Sequence, residues 1–170
     1  MKKEKFLTNH VTCMGMLCAA AMIVSYVETL FSIPLGIPGI KLGLANIMTV
    51  FVLYRYGFRD AAAIVFVRII IIGLLFTNVF ACSYSLAGGF VSLLGMHLLK
   101  KSGVFSMIGV SVAGGVLHNM AQLLVAILLV KELKLVFYGP VLLVAGCICG
   151  LLIGIVTTEI QKRLPKQPYR

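Results

Sequence analysis

The sequence predicts an all-α fold, a polytopic membrane bundle of six transmembrane helices with both termini cytoplasmic. Three observations carry that expectation. Of 170 residues, 61% are hydrophobic and 12% are charged; a soluble domain of this size has too much surface for its volume to hide so large an apolar fraction. Uncharged runs of membrane-spanning length recur from Thr8 to Thr158. Fifteen Lys and Arg against five Asp and Glu fall in short clusters between those runs, as in loops retained on the cytoplasmic side. The basic residues form no stripe with interleaved aromatics, so nucleic acid is not the partner expected. A soluble enzyme is excluded by the same composition. Residues 1–170 read as a single integral domain of the cell membrane, multi-pass, embedded in the lipid bilayer.

The first span is expected over about 8–31, behind Lys2, Lys3 and Lys5. Small residues at Ala19–Ala21 resemble a signal-peptide cleavage site, but the apolar run continues to Phe31, which favours an uncleaved helix. Two prolines and two glycines in Ile33-Pro34-Leu35-Gly36-Ile37-Pro38-Gly39 then forbid a regular helix. The second span, about 41–56, is the shortest. Its uncharged part, Leu42 to Tyr54, makes roughly 20 Å of helix against a hydrocarbon core of roughly 30 Å, so Lys41 and Arg55 must snorkel to opposite interfaces. Charge placement favours a crossing here. Only then do Arg55, Arg59, Lys100, Lys101 and the basic C-terminus join the N-terminal lysines on one side.

No charge occurs from Ile69 to Leu99, too long a stretch for one helix. Two spans, about 58–76 and 82–99, are expected there, joined by a tight turn near Thr77-Asn78. A fifth span over about 105–130 ends at Lys131-Glu132-Leu133-Lys134, and a sixth over about 139–160 ends at Lys162-Arg163-Leu164-Pro165. This topology leaves Lys41, Lys131 and Lys134 outside and Arg68 within the membrane.

Small residues recur at helical spacing: Gly146, Gly150 and Gly154 in span six, Gly15-x-x-x-Ala19 in span one, and Ser85, Gly89 and Ser92 in span four. Such ridges let helices approach closely, either within the chain or against a partner subunit. The five cysteines all lie in apolar stretches, and Cys147-x-Cys149 has neither the spacing nor the His or Asp company of a zinc site. No disulfide framework and no metal site are expected.

Polar residues inside a membrane are costly without a partner or a task. Glu28 in the outer part of span one follows Cys18, Ala21 and Ser25 on one face. Arg68 falls near mid-membrane. Ser111, Gly115, Asn119 and Gln122 form a stripe on span five with His118 beside it. By depth, Glu28, Lys41, Asn46, His118, Asn119 and Gln122 all belong to the outer half. One expectation is a cavity opening outward, roughly 300–1,000 Å³ as ligand sites usually are, closed by the loop with Pro34, Gly36, Pro38 and Gly39. Lys41 and Arg68 then contact an anionic or zwitterionic ligand and Asn46, Asn119 and Gln122 hydrogen-bond it. The alternative is a self-paired cluster, with Glu28 bound to Arg68 or Lys41 and no ligand.

The stretch Ile33-Pro34-Leu35-Gly36-Ile37-Pro38-Gly39-Ile40-Lys41-Leu42-Gly43-Leu44-Ala45-Asn46-Ile47 resembles the Gx transporter family, also known as heptaprenyl diphosphate synthase component I. Tyr84-Ser85-Leu86-Ala87-Gly88-Gly89 and Gly114-Gly115-Val116-Leu117-His118-Asn119 are similar to it as well. The likeness covers nearly the whole chain, and Pro-Gly-x-Lys-Leu-Gly-Leu-Ala-Asn is its most specific part. More distantly, the six-span plan resembles the substrate-binding S-components of energy-coupling factor (ECF) transporters. That resemblance implies a small-molecule site near the outer face, gated by the loop between spans one and two. It also implies docking of a membrane coupling subunit through Gly15 and Ala19, with ATPases in trans. This chain has Gly where the docking motif usually has Ala.

Catalytic constellations are missing from the sequence. Prenyl chain elongation needs clustered aspartates to hold Mg²⁺ on a diphosphate, whereas this chain has one aspartate, Asp60, better suited to capping or an interface. No nucleotide-binding lysine motif or His-Glu-x-x-His occurs, and His10, His97 and His118 sit on different helices. The expectation is a non-enzymatic subunit without a cofactor, which captures a small anionic or amphipathic solute from outside while partners drive transport. The alternative is a non-catalytic membrane subunit of heptaprenyl diphosphate or menaquinone synthesis, partnered by a soluble prenyl synthase subunit.

Overall fold

The computed structural model describes residues 2–30, with side chains from residue 10 onward, and residues 43–164. Among these residues six α-helices pack as a bundle without strands: α1 Lys2–Leu30, α2 Asn46–Arg55, α3 Phe58–Phe76, α4 Val79–Ser102, α5 Met107–Val130 and α6 Gly139–Arg163. A 3-10 turn, Leu133–Tyr138, leads into α6. Four segments are long and apolar enough to cross a membrane, namely His10–Leu30, Val79–Ser102, Met107–Val130 and Leu133–Arg163. The chain is thus built as a multi-pass membrane protein is. α3 has comparable length but carries Arg59, Asp60 and Arg68.

Local chemistry sets the helix boundaries. The Asn78 side chain accepts a bond from Ala81 N at 2.8 Å, which starts α4 just after the turn expected at Thr77-Asn78. Gly103, at φ 71°, ends α4 in the left-handed conformation that glycine adopts without strain. Ser106 caps α5 by accepting from Gly109 N at 3.2 Å.

The second helix is shorter than the stretch expected for its span, whose residues 41 and 42 lie outside the described residues. Instead of a span over 41–56, α2 has 10 residues, about 15 Å at 1.5 Å per residue, or half the thickness of a hydrocarbon core. The cause lies at Gly43, whose φ of +83° no L side chain adopts easily, and where a Cβ would fall 3.0 Å from His118 Cδ2 and 3.2 Å from Asn46 Nδ2. The chain turns there, pressed against α5, before the helix begins. Lys41, Pro34, Gly36, Pro38 and Gly39 lie outside the described residues.

The carboxyl end of α2 is held by distant residues. Lys100 Nζ of α4 donates to Leu53 O at 2.7 Å and lies 4.8 Å from the Tyr54 ring centre. Gln161 Nε2 of α6 reaches Phe51 O at 3.4 Å. Leu53 O is one of the last four carbonyls of α2, which a helix leaves open at its end, and Lys100 answers it. The core beside them is aliphatic and fully buried: Val50, Val52, Leu53, Val65, Leu93, Met96 and Val110.

The small-residue ridges divide into two kinds. On α6, Gly146, Gly150 and Gly154 lie directly against the α5 backbone at Gly115, Val112 and Ile108. Ser111 Oγ donates to Gly150 O at 2.7 Å and Asn119 Nδ2 to Leu142 O at 2.8 Å, tying the same two helices. On α4, Gly89 receives Ile69 and Val65 of α3, while Ser92 Oγ bonds Gly114 O of α5 at 2.8 Å. The α1 ridge differs. Among the described helices α1 packs only on α3 and α2, and Gly15 and Ala19 are exposed with Val11, Met16 and Ile23. A Cβ at Gly15 would meet nothing within 4 Å.

Candidate functional site

Polar groups from five chain segments converge inside the bundle. Glu28 on α1 lies one turn after Ser25, so both face inward, and both are buried. A Glu28 carboxylate oxygen accepts from Gly43 N and, at 3.1 Å, from Leu44 N. It thereby caps in trans the turn that opens α2, where the positive end of the helix dipole favours a carboxylate. Arg68 on α3 is 5% exposed. Its Nη1 donates to Ser25 Oγ at 3.4 Å, and its Nε has no hydrogen-bond partner.

These groups line a cavity of about 30 Å³ whose described walls are Ser25 and Glu28 of α1, Gly43, Arg68, Ile69, Ile72 and Gly73 of α3, Thr77, Ser85 of α4 and His118 of α5. A buried water needs at least about 10–15 Å³ measured this way, so the space matches two or three waters. It is far smaller than the ligand-sized pocket expected from the sequence. Gly73 and Gly88 let α4 come in close. A Cβ at Gly73 would fall 2.7 Å from Cys82 Sγ, and one at Gly88 would fall 2.9 Å from Gln122 Cγ and 3.0 Å from His118 Cε1.

Of the residues singled out from the sequence, Glu28, Arg68 and His118 share this cavity. Gln122 stands behind them, its Nε2 3.0 Å from His118 Nε2. Asn46 is 3% exposed, adjoins Gly43, and has no hydrogen-bond partner at either side-chain polar atom. Asn119 points elsewhere, to the α6 carbonyl of Leu142. Lys41 and the Pro34–Gly39 loop fall outside the described residues. Sequence reasoning missed Gly43, Thr77 and the Ile69–Gly73 wall as lining. The helical spacing of Arg68, Ile72 and Gly73 was the signal available for the last of these.

A second polar cluster joins α1 to the turn between α2 and α3. His10 Nε2 lies 3.6 Å from Asp60 Oδ1, and Cys13 Sγ lies 2.9 Å from the Tyr56 hydroxyl. Asp60, in the first turn of α3, therefore sits where a carboxylate complements the helix dipole.

Together these features define an α-helical, membrane-type bundle with a charged cavity buried among its helices. Residues 17–160 match the family model of heptaprenyl diphosphate synthase component I, and the chain belongs to that family. No curated protein and no solved structure matches the chain.

Proposed function

We propose that this protein is a multi-pass cell-membrane subunit of six spans with cytoplasmic termini, which binds a small anionic or amphipathic solute from the outside. Transport is then driven by partner subunits that supply ATP hydrolysis, and the chain itself performs no catalysis. The observation that carries the reading is the cavity pairing Arg68 with Glu28 and His118. A buried guanidinium with an unpartnered Nε is costly unless something accepts from it. The exposed Gly15 and Ala19 on a helix with one bare side support docking of a membrane coupling subunit there.

A second reading is favoured by the family match. In it the protein is a non-catalytic membrane subunit acting with a soluble prenyl diphosphate synthase. Affinity purification of the full chain from native membranes in mild detergent separates the two. A membrane coupling subunit with ATPases supports the transport reading. A soluble prenyl synthase, without ATPases, overturns it in favour of the second.

A further inference from the structure

We infer that the cavity beside Arg68 receives the carboxylate end of a short aliphatic monoanion and does not accept a diphosphate; this rests on the substrate-binding reading above. Size is the first reason. Room for two or three waters matches the few heavy atoms of a carboxylate, whereas a diphosphate is several times larger. Charge is the second. The Glu28 carboxylate accepts from Gly43 N and Leu44 N at the amino end of α2, where the helix terminus offsets part of its charge, and it faces Arg68 across the same cavity. Arg68 is the one Lys or Arg among the described walls, so beside Glu28 the site tolerates a single added carboxylate better than a polyanion. A diphosphate would bring more than one negative charge beside Glu28.

Hydrogen-bonding capacity is the third reason, and it is independent of the first two. Arg68 Nε carries a donor with no acceptor in a side chain 5% exposed, and the Nη1 bond to Ser25 is long at 3.4 Å. Ser85 lines the same cavity. A carboxylate oxygen pair satisfies Arg68 and Ser85 together. Ile69 and Ile72 provide an apolar wall for an aliphatic stem.

The test uses the full chain in detergent micelles, with thermal unfolding followed through a thiol-reactive dye on its five native cysteines. Butyrate and inorganic pyrophosphate are titrated at matched ionic strength, with chloride as the reference anion. Butyrate should raise the wild-type midpoint saturably by several degrees, as a ligand binding only the folded state does, and pyrophosphate should not. Arg68→Gln should abolish the butyrate shift. Arg68→Lys keeps the charge but loses the planar fork, so it should raise the half-saturating butyrate concentration about tenfold; it carries the comparison if Arg68→Gln fails to fold. Stabilisation by pyrophosphate at lower concentrations than butyrate overturns the inference while leaving a ligand-binding subunit intact. No shift with either anion, or equal butyrate shifts in wild type and Arg68→Lys, also overturns it, and the partner purification still decides the broader reading.

Discussion

Replacing Gly150 by alanine should force α5 and α6 apart. An added Cβ falls 2.6 Å from Val112 Cα and 2.7 Å from Ser111 O, about 1 Å short of the roughly 3.5–4.0 Å at which carbon contacts are favourable. Both obstacles are backbone atoms, so no rotamer change relieves the contact, and the helices must separate. Separation also stretches the 2.7 Å bond from Ser111 Oγ to Gly150 O. Overpacking of this kind costs about 1–3 kcal/mol, and a hydrogen bond between membrane helices contributes about 0.6 kcal/mol. The combined loss is about 2–4 kcal/mol, or a midpoint lowered by roughly 3–14 °C for a chain of this length. Gly15→Ala is the matched control, because its Cβ meets nothing within 4 Å and alanine is the better helix former. Thermal unfolding in one detergent reads both variants. If Gly150→Ala melts within a degree of wild type, the close α5–α6 approach is wrong. If Gly15→Ala melts several degrees lower, so is the bare face of α1.

Three other outcomes follow from the geometry. Glu28→Ala strips the acceptor from two amides, Gly43 N and Leu44 N, and should cost about 2–4 kcal/mol; Glu28→Gln keeps an oxygen and should cost less than half as much, with hydrogen exchange at residues 43–46 reporting the difference. Lys100→Met removes the bond to Leu53 O and the contact with Tyr54, and should lower stability by about 1–2 kcal/mol with faster exchange confined to the end of α2. Leu74→Ala is a negative control, since that side chain is 78% exposed on α3. It should leave the melting midpoint and the butyrate response unchanged, and a clear change in either would contradict the outward placement of that face.

Helix positions were legible wherever composition alone decides: α3, α4, α5 and α6 begin and end within about three residues of the stretches expected to be helical, and α4 starts just after Thr77-Asn78. The length of α2 was not legible. Leu42-Gly43-Leu44-Ala45 is as apolar as the helix after it, and only the approach of His118 to Gly43 shows why the chain turns there. Nor did spacing separate Gly15-x-x-x-Ala19 from Gly146-x-x-x-Gly150. The two carry the same pattern, one facing outward and the other α5, and that choice depends on what each helix packs against. The ties that fix the basic end of the bundle join residues as far apart as Phe51 and Gln161, a separation that leaves no local pattern. For the cavity, the costly residues Glu28, Arg68 and His118 were visible because polar groups stand out in apolar runs. Asn119 stood out equally, yet it serves the α5–α6 seam, because spacing along α5 does not tell which neighbour each side chain meets.

The central claim is that the Arg68 cavity holds a small anionic solute. Mass spectrometry of small molecules extracted from the detergent-purified chain, wild type beside Arg68→Gln, tests it most directly. A water-soluble carboxylate enriched with wild type and lost from Arg68→Gln is the predicted result. A prenyl diphosphate or quinone, retained equally by both, would contradict it.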